Sequence, residues 1–216
     1  GDDFHFIKRN RMNTILTKHS QGRALLLPTE SYTSYSYDVI RENFISKNHE
    51  QEICIMDNKK LVGNPNQLTK ARRITFRDGV SDGVKAIELH NQNGLYVTCI
   101  EDQCLNIFDF SYKGINCAFQ TKNGLMSSRF FNGSGGEFGY YWPAGMMYTC
   151  GLSNVGTPNT DNGTYHPQHG RIGMMPAENV SIEKTDLEII VKGIIRDSAL
   201  CAHNLDLERT IIFPVD

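Results

Sequence analysis

No apolar run in this chain of 216 residues comes near the ~18 residues that a membrane-crossing helix needs. The polar N-terminus also lacks the apolar core of a secretory signal. Neither charge is in excess: 22 Lys and Arg face 24 Asp and Glu, for a net charge of −2. The basic footprint that duplex binding requires is therefore missing. No CxxC pair occurs among the six cysteines, Cys54, Cys99, Cys104, Cys117, Cys150 and Cys201. Disulfide frameworks belong to smaller secreted domains, so the expectation is free thiols, mostly buried in strands, in a cytoplasmic protein. Neither a membrane nor a nucleic acid is expected as a partner. Helical periodicity is scarce too, with no helix-period stretch beyond about two turns after residue 60. The Gly-rich run at 132–136 has neither the Lys-Ser/Thr of a phosphate-binding loop nor a helix signature behind it, which excludes that reading.

What is present is an ordinary globular composition, 39% hydrophobic and 21% charged, with length enough for a real core. Residues 1–59 read as an arm. Lys8, Arg9, Arg11, Lys18 and Arg23 make its start basic, and residues 24–27 form a short apolar run stopped by Pro28. One or two short strands or a helix are expected there. From residue 60 onward the pattern becomes β. Gly63-Asn64-Pro65-Asn66 is a turn, Asp78-Gly79 and 81–83 are turns, and 91–94 is a hairpin signal. Strands are expected at 95–100, 105–110 and 112–119, the last two broken near Lys113-Gly114, and again at 180–182, 187–193 and 205–213. This recurrence about every ten residues points to an antiparallel sandwich or barrel. The alternation runs almost to Asp216, so the last strand is expected to leave an open edge. Either the domain continues or a partner, such as a second copy of the chain, covers that edge. The division read from the sequence is thus 1–59, an irregular arm, and 60–216, part of a β-sandwich.

One loop stands out. Between Thr149-Cys150-Gly151-Leu152 and Pro176-Ala177-Glu178 lies a long stretch built mostly of Ser, Asn, Gly, Thr, Pro and Asp. Long loops inside compact domains are usually functional. This one delivers His166, His169, Arg171 and, at its end, Glu178. An imidazole exchanges a proton near neutral pH, Gly170 permits close backbone approach, and the Arg171 guanidinium is a planar donor fork. Together they suit a hydroxyl-rich or anionic ligand. The same His-x-x-His with Glu178 is also a loose metal set, though without the HExxH pattern of zincins; no metal is expected. Trp142, after Tyr140-Tyr141, is a candidate platform for a sugar face. Cys150 reads as inert and buried in a strand.

The blocks 83–119, 146–158 (MMYTCGLSNVGTP) and 168–178 (QHGRIGMMPAE) resemble a little-characterised bacterial family of aldose 1-epimerase-like proteins in the galactose mutarotase-like superfamily. The resemblance covers roughly residues 60–216. It implies an all-β, galactose mutarotase-like β-supersandwich of large antiparallel sheets, incomplete at the C-terminus, with a sugar cleft on one face. It further implies cofactor-independent interconversion of the anomers of an aldose, or, as an alternative, non-catalytic carbohydrate binding on the same fold. His169 would be the histidine of the family's His-Gly motif and Arg171 a substrate-binding donor, with His166, Trp142 and Glu178 as further binding candidates. The family's second histidine and its glutamate base would lie beyond Asp216. Where the family usually carries Asp-Arg-Gly-Leu/Met-Asp-Ile, this chain has Asp102-Gln103-Cys104-Leu105-Asn106-Ile107.

Overall fold

The structure is a computed structural model that describes residues 60–215 and the backbone of two earlier strands, β1 (Arg23–Leu26) and β2 (Thr33–Ser36). Those two pair antiparallel, Arg23 opposite Ser36. The basic stretch from Lys8 to Lys18, Cys54 and Asp216 lie outside the described residues.

The main body is two antiparallel sheets face to face. The larger has the order β3 (Lys70–Thr75), β4 (Lys85–His90), β5 (Leu95–Ile100), β6 (Asn106–Tyr112) and β7 (Ile115–Asn116). The smaller is β12 (Ala177–Lys184), β13 (Glu188–Ser198) and β14 (Asn204–Pro214). Alternation decides which residues meet. Ile87, Leu89, Val97, Cys99 and Ile107 point from the large sheet into Ile189, Val191, Ile211 and Phe213 of the small one, and Leu105 and Val215 complete that core. The reverse face of the large sheet is covered as well, with Ala86, Ile100 and Phe108 packing with Val84 and Leu125. A β-bulge makes this possible. The β5–β6 register passes from Thr98 opposite Asp109 to Cys99 opposite Ile107, so Phe108 is the extra residue and turns to the reverse face.

The expected turns are in place. Asn64 caps a 3-10 turn at Pro65–Gln67, its side chain accepting from Asn66 N, and Asn91 closes the β4–β5 hairpin by accepting from Leu95 N at 2.9 Å. Between the sheets in sequence come β8 (Phe119–Gln120), a one-turn helix α1 (Phe138–Tyr141), β9 (Ala144–Gly145), β10 (Asn159–Asp161) and β11 (Thr164–His166). The helix α1 corrects the expectation that none follows the Gly-rich run. Cys150 is a second correction: it is exposed, on an irregular segment, as is Cys201, whereas Cys99 and Cys104 are buried. Burial pushes the Cys99 thiol up to about 12, so that group is inert at neutral pH.

Candidate functional site

The segment 149–177 lies across the turn between β5 and β6. Backbone groups hold it there: Cys104 N donates to Met175 O at 2.7 Å and Ala177 N to Glu101 O at 2.8 Å. The buried Asn106 completes the clamp. Its Oδ1 accepts from Thr149 N at 2.9 Å and from Thr149 Oγ1 at 2.7 Å, and its Nδ2 donates to Gly173 O at 2.9 Å. One amide therefore ties both ends of the long loop to the large sheet. An added Cβ on Gly173 would lie 2.4 Å from Thr149 O, so only glycine allows this approach.

Within the loop the chain folds back on itself. Gly151 N donates to His169 O at 3.1 Å, and His169 N to Gly156 O at 2.9 Å. Asn154 Nδ2 donates to the carbonyls of Thr157 at 2.9 Å and Pro167 at 2.8 Å. Beyond this base, β10 and β11 form a hairpin with Asn159 opposite His166. Tyr165 Oη accepts from Gly135 N at 2.8 Å, which joins the hairpin to the Gly-rich run.

His169 has a positive φ of 61°, an uncommon conformation for a non-glycine residue and one that clusters at functional positions. Its ring meets Phe138 edge-on, with centroids 4.7 Å apart. Nδ1 lies 2.8 Å from Val155 O. A carbonyl only accepts, so Nδ1 carries the proton and Nε2 is the acceptor nitrogen of the neutral ring. Gln168 Nε2 approaches that Nε2 at 3.4 Å. The half-buried imidazole therefore has one fixed tautomer and one acceptor nitrogen.

Beside it is an aromatic cluster: Phe138, Tyr141, Phe131, Trp142 and Tyr148, with Met174 beneath. Trp142 stacks on Phe138 at 5.5 Å, so one indole face is already occupied. Burial, with smaller effects from Tyr165 and Glu137, raises the Tyr141 phenol to about 12. Burial raises that of Tyr148 further still. Both stay neutral at physiological pH.

Residues 81–216 match the family described as Domain of unknown function (DUF4432). The chain belongs to the DUF4432 family. Two solved structures are similar to it, and the first of them shares its fold. One is a proposed aldose 1-epimerase from Klebsiella pneumoniae, 20% identical, with a TM-score of 0.57, covering 65% of this chain and 42% of that one. The other is galactose 1-epimerase from Lactobacillus acidophilus, 12% identical, with a TM-score of 0.43, covering 68% and 45%. A search of the curated proteins gave no match. This DUF4432 chain thus has a β-sandwich of the kind seen in the first of these structures, and it spans less than half the length of either.

The five candidates read from the sequence are distributed as follows. His169, His166 and Trp142 lie in or against the loop, and Arg171 begins the 3-10 turn Ile172–Met174. Glu178 does not join them. A register shift between Glu178 and Ser181 leaves Ala177 facing the core and turns Glu178 to the opposite face, where it pairs with Arg196 at 3.8 Å. Among the described residues no three His, Cys, Asp or Glu side chains form a group fit to hold a metal ion. No described helix is long and apolar enough to cross a membrane.

The departures from the family's Asp-Arg-Gly-Leu/Met-Asp-Ile run are also placed. Gln103 is fully buried, its Nε2 donating to Met126 O at 2.5 Å. Cys104 and Leu105 have positive φ, 54° and 50°, the conformation the family's glycine suits.

Sequence reasoning missed Asp197 and His203. The Asp197 side chain is 1% exposed, and one of its oxygens is 3.7 Å from Arg171 Nη2 and 3.4 Å from His203 Nε2. The available signal was the inner face of β13. Ile189, Val191 and Ile195 recur on it at strand spacing, and the next inward position is a carboxylate.

Proposed function

We propose that the intact protein is a cofactor-independent mutarotase that interconverts the anomers of an aldose. The observation that carries this reading is His169: a strained backbone, a tautomer set by Val155 O, and an acceptor Nε2 at a half-exposed edge of an aromatic cluster. Anomer exchange needs the proton of the anomeric hydroxyl removed and the ring oxygen protonated, so that the C1–O5 bond opens and recloses on the other face. Nε2 of His169, the acceptor nitrogen of the neutral ring, becomes the donor to the ring oxygen once protonated, and the proton of the anomeric hydroxyl goes to the carboxylate base that the family resemblance implies. Arg171 and His166 are substrate-binding donors, and Trp142 supports the apolar side of the sugar. The solved structure that shares this fold carries the name of a proposed aldose 1-epimerase, which makes a free aldose the substrate class to test. Proton transfer needs no cofactor.

A second reading is carbohydrate binding without catalysis: among the described residues the His169 ring meets Phe138, Val155 O and Gln168 and pairs with no carboxylate. The test is exchange NMR between the α and β anomers of D-galactose and D-glucose with the intact protein. Catalysed exchange is expected, falling at least 100-fold in His169→Asn with the far-UV spectrum unchanged. Undiminished exchange in that variant would remove His169 from the mechanism. Saturable binding with no rate effect in the wild type would select the second reading.

A further inference from the structure

We infer that Asp197 is a positioning residue that fixes the guanidinium of Arg171 at the site. This rests on the reading of Arg171 as a ligand-binding donor. Asp197 lies on the inner face of β13, two residues beyond Ile195, where packing calls for another aliphatic side chain. A carboxylate there is costly, because burial penalises the charge. Its second oxygen, Oδ2, is buried with no hydrogen-bond partner among the described residues. The first oxygen faces two groups that reach water, Arg171 at 43% side-chain exposure and His203 at 33%. The carboxylate is therefore the fixed member and the two nitrogen donors are the ones presented outward.

The architecture supports that division. Asp197 is held in an unbroken ladder, Asp197 opposite Leu205 and Ser198 opposite Asn204. His203 sits on the turn that closes the same hairpin. Arg171 comes from the far side, at the start of the turn whose Ile172 packs with Ile195 and Cys104. The ion pair thus links the loop bearing His169 to the small sheet, just as Asn106 links it to the large one. A long, flexible side chain loses rotamer freedom when it binds a ligand, and holding it beforehand lowers that cost.

The test uses two variants, Asp197→Asn and Asp197→Val. The second suits the aliphatic face of β13 and keeps the fold even if the first does not. The first readout needs no sugar: 15N NMR of the Arg171 guanidinium. Hindered rotation with resolved Nη signals is expected in the wild type, and averaged signals in both variants. Identical averaged signals in wild type and variants would overturn the inference. The second readout is the affinity for D-galactose and D-glucose. Each Asp197 variant should weaken binding about as much as Arg171→Ala does, roughly 10-fold, and the double variant should weaken it no further. Additive losses would also overturn the inference. If Arg171→Ala leaves sugar binding untouched, the sugar-site reading of Arg171 fails, while the guanidinium signals still decide whether Asp197 holds it.

Discussion

At the scale of single residues, the loop depends on atoms that leave no room for alternatives. Gly170 follows His169 with a φ of +73°, and an added Cβ would lie 2.6 Å from Gly151 O and 3.0 Å from Asn154 O. Both neighbours are backbone and cannot swing aside. Gly170→Ala is expected to cost about 1–3 kcal/mol from the strained φ alone, and the clash adds to it. Urea denaturation checks the stability, and the His169 imidazole signals should shift in the same variant. His169 accepts its own positive φ because three backbone hydrogen bonds around it, from Gly151 N, to Gly156 O and from Gly170 N to Pro167 O, fix the chain on both sides.

At the scale of elements, β3, β4 and β5 carry a polar stripe on the face away from the main core. Arg72 pairs with Glu88, Tyr96 Oη donates to Glu88 at 2.9 Å, and Thr98 Oγ1 donates to Tyr96 at 3.1 Å. Burial opposes ionisation of Glu88, but the hydrogen bonds from Arg72 and Tyr96 and the charges of Arg72 and Lys70 outweigh it, and the carboxyl sits below its usual 4.5. A carboxyl more acidic in the folded state stabilises the fold above about pH 4.5, and that contribution disappears as the pH falls through the folded value. Glu88→Gln should thus be less stable than wild type at pH 7, with the gap closing toward pH 3, as paired urea titrations would show. Of the strands that build this face, β5 was legible because it is six residues of β-forming sequence that follow a recognisable turn. The elements β8 to β11 were not, since two or three residues hold no period. Glu178 was misplaced for a different reason. Strict alternation from Ile182 predicts its side, but Asn179, with a φ of 52°, begins the register shift that reverses it. The grouping of Asp197, His203 and Arg171 depends on the 11-residue register of β13 on β14 and on where a 3-10 turn lands, neither of which any local window contains.

The whole molecule is held together where the two sheets meet. Phe213, 2% exposed, stands among Ile189, Val191 and the strands of the large sheet. Truncation there removes buried surface and leaves a cavity. Phe213→Ala is expected to cost about 3–5 kcal/mol and to unfold both sheets in one transition, so circular dichroism and the fluorescence of the single tryptophan, Trp142, should report the same midpoint. The sandwich itself was readable from strand spacing. What the site adds is a bracing in two directions, Asn106 to one sheet and Asp197 to the other.

The hairpin Asn159–His166 springs from a base already cinched by Gly151, Gly156 and His169. Lengthening or trimming its tip at Asn162-Gly163 therefore leaves the imidazole where it stands. A chain built on this plan can vary that hairpin in length and composition without disturbing the ring of residue 169.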